Sequence, residues 1–217
     1  MRSDADPREP SVGSRDPDTN PRIKGWVESN VTYLEMRVRP DRPSVTAPDG
    51  VEVRRAVRPT VSFYRYLYHT VGGDWSWSGR RLMDDDTLLS NIRDAAVEVN
   101  VLWVEGVPAG LMELDRRKPD EIELLYFGLI PDFIGCGLGR FALDWTVDRA
   151  WSFHPSRFWV HTCDLDHPNA LAVYQKAGFE IYDRGKEREA ILHDMVPPRR
   201  QGADIDDKDI TPNPGKT

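Results

Sequence analysis

The chain has 217 residues, of which 39% are hydrophobic and 30% charged, with a formal net charge of −7 and a pI of about 5.3. That length suits one globular domain with a sizeable core, and the acidic balance argues against broad nucleic-acid binding, which needs Lys and Arg to neutralise phosphates. Cys136 and Cys163 are the only cysteines and stand in no CxxC or Cys/His array, so a disulfide scaffold and a zinc module are excluded and free thiols without a metal are expected.

Residues 2–22 and 198–217 are rich in Pro, Asp, Arg, Gly and Ser and poor in large apolar side chains, so burial cannot offset the entropy of ordering them. The expected organisation is a disordered tail over 1–28, one domain over 29–197 and a second disordered tail over 198–217. The start of the chain lacks the apolar core of a secretion signal, and no run reaches the roughly 18 apolar residues of a bilayer span. A cytoplasmic protein without membrane contact is expected.

Within the domain, 31–39 and 51–57 have the β-branched, alternating character of strands around a turn-rich 40–50. Pro59-Thr60 opens a helix that Gly72-Gly73 ends, and 84–94 reads as a second short helix with Leu88, Leu89 and Ile92 on its apolar side. Residues 96–104, 108–116 and 121–130 form a β-meander. The period changes at 135–139, where three alternate glycines lead into a helix with Leu138, Phe141, Ala142 and Trp145 at helical spacing. A strand at 157–162, a helix at 168–177 with Gly178 past its end, and strands at 179–183 and 190–195 complete the order. This order implies a mixed sheet, α+β or α/β, with helices on both faces.

A glycine-rich turn between strand and helix lets backbone N–H groups approach an anion and aims a helix N-terminus at it, which suits pyrophosphate. Residues 134–139, IGCGLG, meet that requirement. The run is no P-loop, because no Gly-Lys-Ser/Thr follows and Arg140 stands where the lysine would be useful. As a dinucleotide fingerprint it lacks the third glycine at its proper spacing, and a meander precedes it. A tight turn without a ligand is the plain alternative.

Residues 129–139, LIPDFIGCGLG, resemble the central motif of the GNAT superfamily of N-acetyltransferases, in which a strand ending shortly before a proline is followed by Arg/Gln-x-x-Gly-x-Gly. Residues 169–179, NALAVYQKAGF, are similar to its second signature, a helix carrying a tyrosine and ending in Lys-x-Gly-Phe. The resemblance spans roughly 51–195, with Ile134 at the Arg/Gln position of the loop and His167 where asparagine is common. It implies an α+β fold whose central, mostly antiparallel sheet splays at the cofactor site, with helices on both faces. It also implies acetyl-CoA, or another acyl-CoA, as co-substrate, and direct transfer to a primary amine of a small molecule, amino acid or peptide. No covalent enzyme intermediate is needed.

Carried over residue by residue, the cofactor contacts are Leu129, Ile130, Ile134, Gly135, Cys136, Gly137, Leu138, Gly139, Arg140 and Asn169. Leu129 supplies a main-chain N–H from the splayed strand end. Tyr174 is the candidate acid, since a phenol of pKa about 10 is close enough to a thiol to reprotonate a departing thiolate; packing under the sheet is its other reading. Glu123 is the candidate base, on a face that alternation shares with Glu121, Leu125 and Phe127; a solvated edge carboxylate explains it nearly as well, and Glu113 and Asp115 stand in reserve. Cys136, between two glycines, reads as a tolerated small side chain rather than a nucleophile.

Tyr64, Tyr66, Tyr68, Trp75 and Trp77 crowd fourteen residues with Arg65, His69, Arg80 and Arg81. Tyr64, Tyr68, Trp75, Trp77 and Glu113 are therefore candidate substrate contacts, able to stack on a ring or embrace an ammonium, although Tyr64 and Tyr68 sit four apart as core residues also do. An acyl-CoA-sensing module without turnover and a protein lysine or N-terminal acetyltransferase are the competing readings. A monomer or homodimer is expected.

Overall fold

The computed structural model describes residues 20–196, 198–200 and 203–214. Its elements run β1 (Ile23–Met36), β2 (Val51–Arg55), α1 (Val61–Gly72), α2 (Gly79–Leu82), α3 (Asp85–Ile92), β3 (Val97–Val104), β4 (Val107–Asp115), β5 (Glu121–Leu129), α4 (Leu138–Trp151), β6 (Arg157–Cys163), α5 (Ala170–Lys176) and β7 (Glu180–Leu192). Three two-residue strands follow: β8 (Arg199–Arg200), β9 (Ala203–Asp204) and β10 (Thr211–Pro212). The main sheet has the order β10-β1-β6-β5-β4-β3-β2, with β7 on the other edge of β1. Each of its pairings is antiparallel except β5 with β6. This is the expected mixed α+β architecture.

Local chemistry starts the helices where the sequence places them. Thr60 is extended and its hydroxyl accepts from the Phe63 N–H at 3.3 Å, while the Asp84 carboxylate accepts from the Thr87 N–H at 2.8 Å, so each cap satisfies an amide that the first turn leaves free. Tyr64, Leu67, Tyr68 and Val71 then fall on one face of α1 and bury against Leu111, Val99 and Val101 of the sheet, with Leu88 and Ile92 of α3 beside them. On the opposite face Leu143, Val147 and Ala150 of α4 and Tyr174 of α5 pack on Leu34, Leu114, Leu124, Phe158 and Val160. The two cores give the three-layer arrangement of a sheet between helices.

Three expectations change. Residues 23–28, expected in the N-terminal tail, belong to β1: Ile23, Gly25, Val27 and Ser29 are buried while Lys24 and Glu28 between them are exposed, a half-buried alternation that glycine and the charges disguise. Part of the 198–217 tail returns to the sheet, with Thr211 opposite Trp26 and Pro212 opposite Gly25 and the Asn213 side chain donating to the Asn20 and Ile23 carbonyls at 2.9 and 3.2 Å. The last two strands are one. Residues 184–189 are charged or glycine, a poor strand by propensity, yet they pair without interruption to β1 from Thr32↔Arg184 to Val27↔Glu189.

Candidate active site

The two inner strands of the sheet part company. Parallel pairing of β5 with β6 covers only Glu121↔Arg157, Ile122↔Phe158 and Glu123↔Trp159; beyond it β5 stays with β4 and β6 with β1. The gap opens into a cleft of about 1270 Å³ lined from both sides, more than one drug-sized ligand fills. At its wall the Ile130 N–H donates to the Ala109 carbonyl on β4 at 2.8 Å. Strand alternation then turns the Leu129 N–H the other way, into the gap.

The glycine loop closes one end. Gly135 and Gly137 have φ of +84° and +80°, values that exclude a side chain without strain, and no heavy atom lies within 4 Å of where their Cβ atoms would be. α4 starts there with no side-chain cap, so its first N–H groups and the positive end of its dipole face open space. The residues present fit a pyrophosphate. Leu129, Ile134, Gly135, Gly137, Gly139, Arg140 and Asn169 line the cleft.

Three other candidate contacts do not line it. Ile130 has spent its N–H on Ala109 and buries its side chain against α1, Leu138 packs into the core beneath α4, and Cys136 points out as an exposed free thiol. Asn169 makes no side-chain cap on α5; its own N–H donates to His167 Nδ1 at 3.1 Å.

Tyr174 lines the cleft from α5, 7% exposed, its ring edge-on to Phe127 and Phe179. Burial, followed by the nearby Asp166 charge, pushes its phenol well above the usual value, so the hydroxyl stays protonated at working pH. Glu123 lines the opposite wall. Its expected companions differ, because a bulge at Leu125 shifts the register from Leu114↔Leu124 to Glu113↔Tyr126. Glu123 therefore shares a face with Tyr126, while Phe127 turns to the α4 side with Leu124.

What the sequence reading missed is the partner of Glu123. His161 Nδ1 lies 3.3 Å from Glu123 Oε1; burial alone would lower the imidazole's pKa, but the Glu123 hydrogen bond and charge outweigh it and hold the value above the ordinary one. The register places Tyr33 opposite His161 and Glu35 opposite Trp159, and Ser29 opposite Glu187 and Val27 opposite Glu189. Tyr33, Trp159, His161, Glu187 and Glu189 thus join Glu123 in lining the cleft. Alternation in RFWVHTC and the acidic residues two apart at 187 and 189 carry this signal, which the loop-like composition of 184–189 hides.

The aromatic cluster divides in the same way. Tyr68, Trp75 and Trp77 line the cleft. The segment between α1 and α2 crosses its mouth, with Trp75 edge-on to His167 at 5.0 Å and Trp77 Nε1 donating to Asp166 Oδ1 at 3.4 Å. Trp77 lies directly on Gly72, where a Cβ would come within 2.4 Å of its ring. Tyr64 and Glu113 are fully buried behind this wall: Glu113 accepts from the Tyr64 hydroxyl and from Arg80, which is 3% exposed. As a substrate contact Glu113 is corrected to a buried counter-charge. Glu113→Ala, which strands the Arg80 guanidinium, is expected to lower unfolding free energy by about 3–5 kcal/mol, read from the urea midpoint.

Among the described residues no group of three or more His, Cys, Asp or Glu is arranged to hold a metal ion, and no helix is long and apolar enough to cross a membrane.

The sequence model of the Acetyltransferase (GNAT) family matches residues 63–179, and no match is found among curated proteins. The fold is similar to a GCN5-related N-acetyltransferase from Kribbella flavida, at 16% identity and TM-score 0.52 over 76% of this chain and 60% of that one. It is similar to another from Sphaerobacter thermophilus, at 14% identity and TM-score 0.54 over 83% and 55%. A spermidine N-acetyltransferase from Vibrio cholerae, described as dodecameric, matches at 17% identity and TM-score 0.50 over 67% and 95%. The chain thus spans somewhat over half the length of the first two. With the family match covering more than half of the sequence, the chain is a member of the acetyltransferase (GNAT) family.

Proposed function

We propose that this chain is an acetyl-CoA-dependent N-acetyltransferase that acts on a primary amine by direct transfer. The observation that carries the reading is the gap between β5 and β6, which turns the Leu129 N–H toward the same space that the glycine loop and Tyr174 face. Acetyl-CoA bound there supplies the thioester carbonyl that the amine attacks and the thiolate that leaves.

The chain's own groups meet the remaining needs. Main-chain N–H groups of 135–140 hold the pyrophosphate and the Leu129 N–H donates to the thioester oxygen, a fixed donor where negative charge develops. Glu123 and His161 act as a coupled pair that deprotonates the substrate ammonium, so that the neutral amine attacks the thioester carbonyl. Tyr174, kept neutral by burial though thereby a weaker acid than a free phenol, presents its O–H to the departing sulfur. Trp75 and Trp77 roof the cleft and exclude water.

Tyr174→Phe keeps the ring and removes the proton. It is expected to lower kcat for acetyl-CoA-dependent thiol release on a responsive amine by about 10²-fold, with cofactor affinity within twofold of the parent. Unchanged turnover would remove Tyr174 from the chemistry. Cofactor binding without turnover on any amine or peptide would favour a sensing module instead.

A further inference from the structure

The cleft's charges do not balance at the end away from the glycine loop. Its cations are matched: Arg80 with Glu113, Arg117 with Asp115, Lys118 and Arg157 with Glu121, and Arg140 with Asp144, while Arg188 lies over the Trp26 ring. Among the described residues five lining carboxylates have no Lys or Arg within ion-pair distance: Glu123, which pairs with His161, Asp183, which accepts from the Arg184 N–H, and Asp166, Glu187 and Glu189. Asp166 is held by hydrogen bonds from Thr162, the Cys163 N–H and Trp77, and Glu187 accepts from the Tyr33 hydroxyl. Among the described residues the Glu189 carboxylate accepts no side-chain hydrogen bond.

We propose, resting on the acetyl-transfer reading above, that the acceptor carries a second cationic group besides the reacting amine, an ammonium or guanidinium, and that Glu187 and Glu189 bind it beside the Tyr33 ring. Tyr33 ties this acidic pocket to the reactive pair: its hydroxyl fixes Glu187 while its ring centroid lies 6.1 Å from that of His161. One molecule can therefore present an amine to Glu123 and His161 and a cation to Glu187 and Glu189, with its chain along Tyr33 and Trp159. Aromatic faces beside carboxylates suit alkylammonium groups, which take charge from one and contact from the other.

The electrostatics of the pocket agree. Burial and then the Glu187 charge push Glu189 up to about 7; Asp166 acts in the same direction and the neighbouring His161 opposes it. A cation between the carboxylates relieves that repulsion and draws the proton from Glu189, so binding strengthens from pH 6 to pH 8 and releases a proton near neutrality.

The test compares α,ω-diaminoalkanes from propane to hexane with monoamines of the same chain length on the full chain. It uses thiol release from acetyl-CoA and direct calorimetric titration of each amine. The best diamine is expected to exceed its monoamine at least tenfold in kcat/KM and in affinity, and E187Q and E189Q are expected to shrink that ratio toward one. A ratio near one in the parent, or a ratio that survives both substitutions, overturns the inference while monoamine turnover leaves acetyl transfer standing. Calorimetry that detects no diamine binding overturns it whatever the turnover.

Discussion

Gly137→Val is expected to raise the dissociation constant for acetyl-CoA at least 100-fold while the chain stays folded. Gly137 stands at φ +80°, immediately before α4, with nothing within 4 Å of its Cβ position. A β-branched residue in that conformation is strained by about 1–2 kcal/mol, and its methyl groups occupy the space over the first N–H groups of the helix, where the anion must sit. Either the loop moves and the N–H groups no longer converge, or it holds and the side chain blocks them. A 100-fold loss corresponds to about 2.7 kcal/mol. Calorimetric titration measures it, with thermal unfolding of the unliganded variant as the control for global damage. Cofactor affinity within threefold of the parent would mean that the loop is a turn and not a cradle.

Glu123→Gln is expected to cut kcat/KM for the amine by about 10²–10⁴-fold and to move the pH profile. In the parent, Glu123 holds His161 above its ordinary value, so kcat/KM rises with pH through an inflection above about 6.5 as the imidazole loses its proton. Removing the carboxylate's charge leaves burial, the largest cause, against only the raising charges of Asp166 and Glu187, and the inflection moves down. The sign for stability follows from the same shift. A histidine raised in the folded state contributes stability that is fully present below the unfolded value of about 6.5 and is lost as pH rises through the folded value. The parent-minus-variant difference in unfolding free energy is thus larger at pH 5.5 than at pH 9. An unmoved inflection, with activity lost or kept, would separate the carboxylate from the titrating base.

How much of this was legible in the sequence depends on which physical signal each part leaves. Thr60 and Asp84 announce helix starts by composition, and the glycines at 135 and 137 announce a positive-φ loop that other residues rarely adopt, so the loop and the helices were readable. The placement of Glu123 and Tyr174 on the cleft wall was readable through the motifs around them. The strand β7 was not, because Arg184–Glu189 has the composition of a loop and becomes a strand only by pairing with β1, a tertiary effect that propensity does not carry. With that strand hidden, Glu187 and Glu189 had no visible reason to face His161. Leu125 shows the same limit, since a single bulged residue reversed the facing of Phe127 and no local pattern marked it. Glu113 and Tyr64 were misplaced for a different reason: a polar pair beside aromatics reads equally as a pocket wall or as a buried ion pair, and only the position of Arg80 decides.

Every step proposed for transfer requires that the gap between β5 and β6 bind an acyl-CoA. Titration of the intact chain with acetyl-CoA, followed by calorimetry and by thermal unfolding at increasing cofactor, tests it most directly. One site per chain is expected, with a melting temperature that climbs as the cofactor passes its dissociation constant, by about 2.7 kcal/mol of added stability at 100-fold excess over that constant. No heat of binding and no shift at millimolar acetyl-CoA would contradict the account.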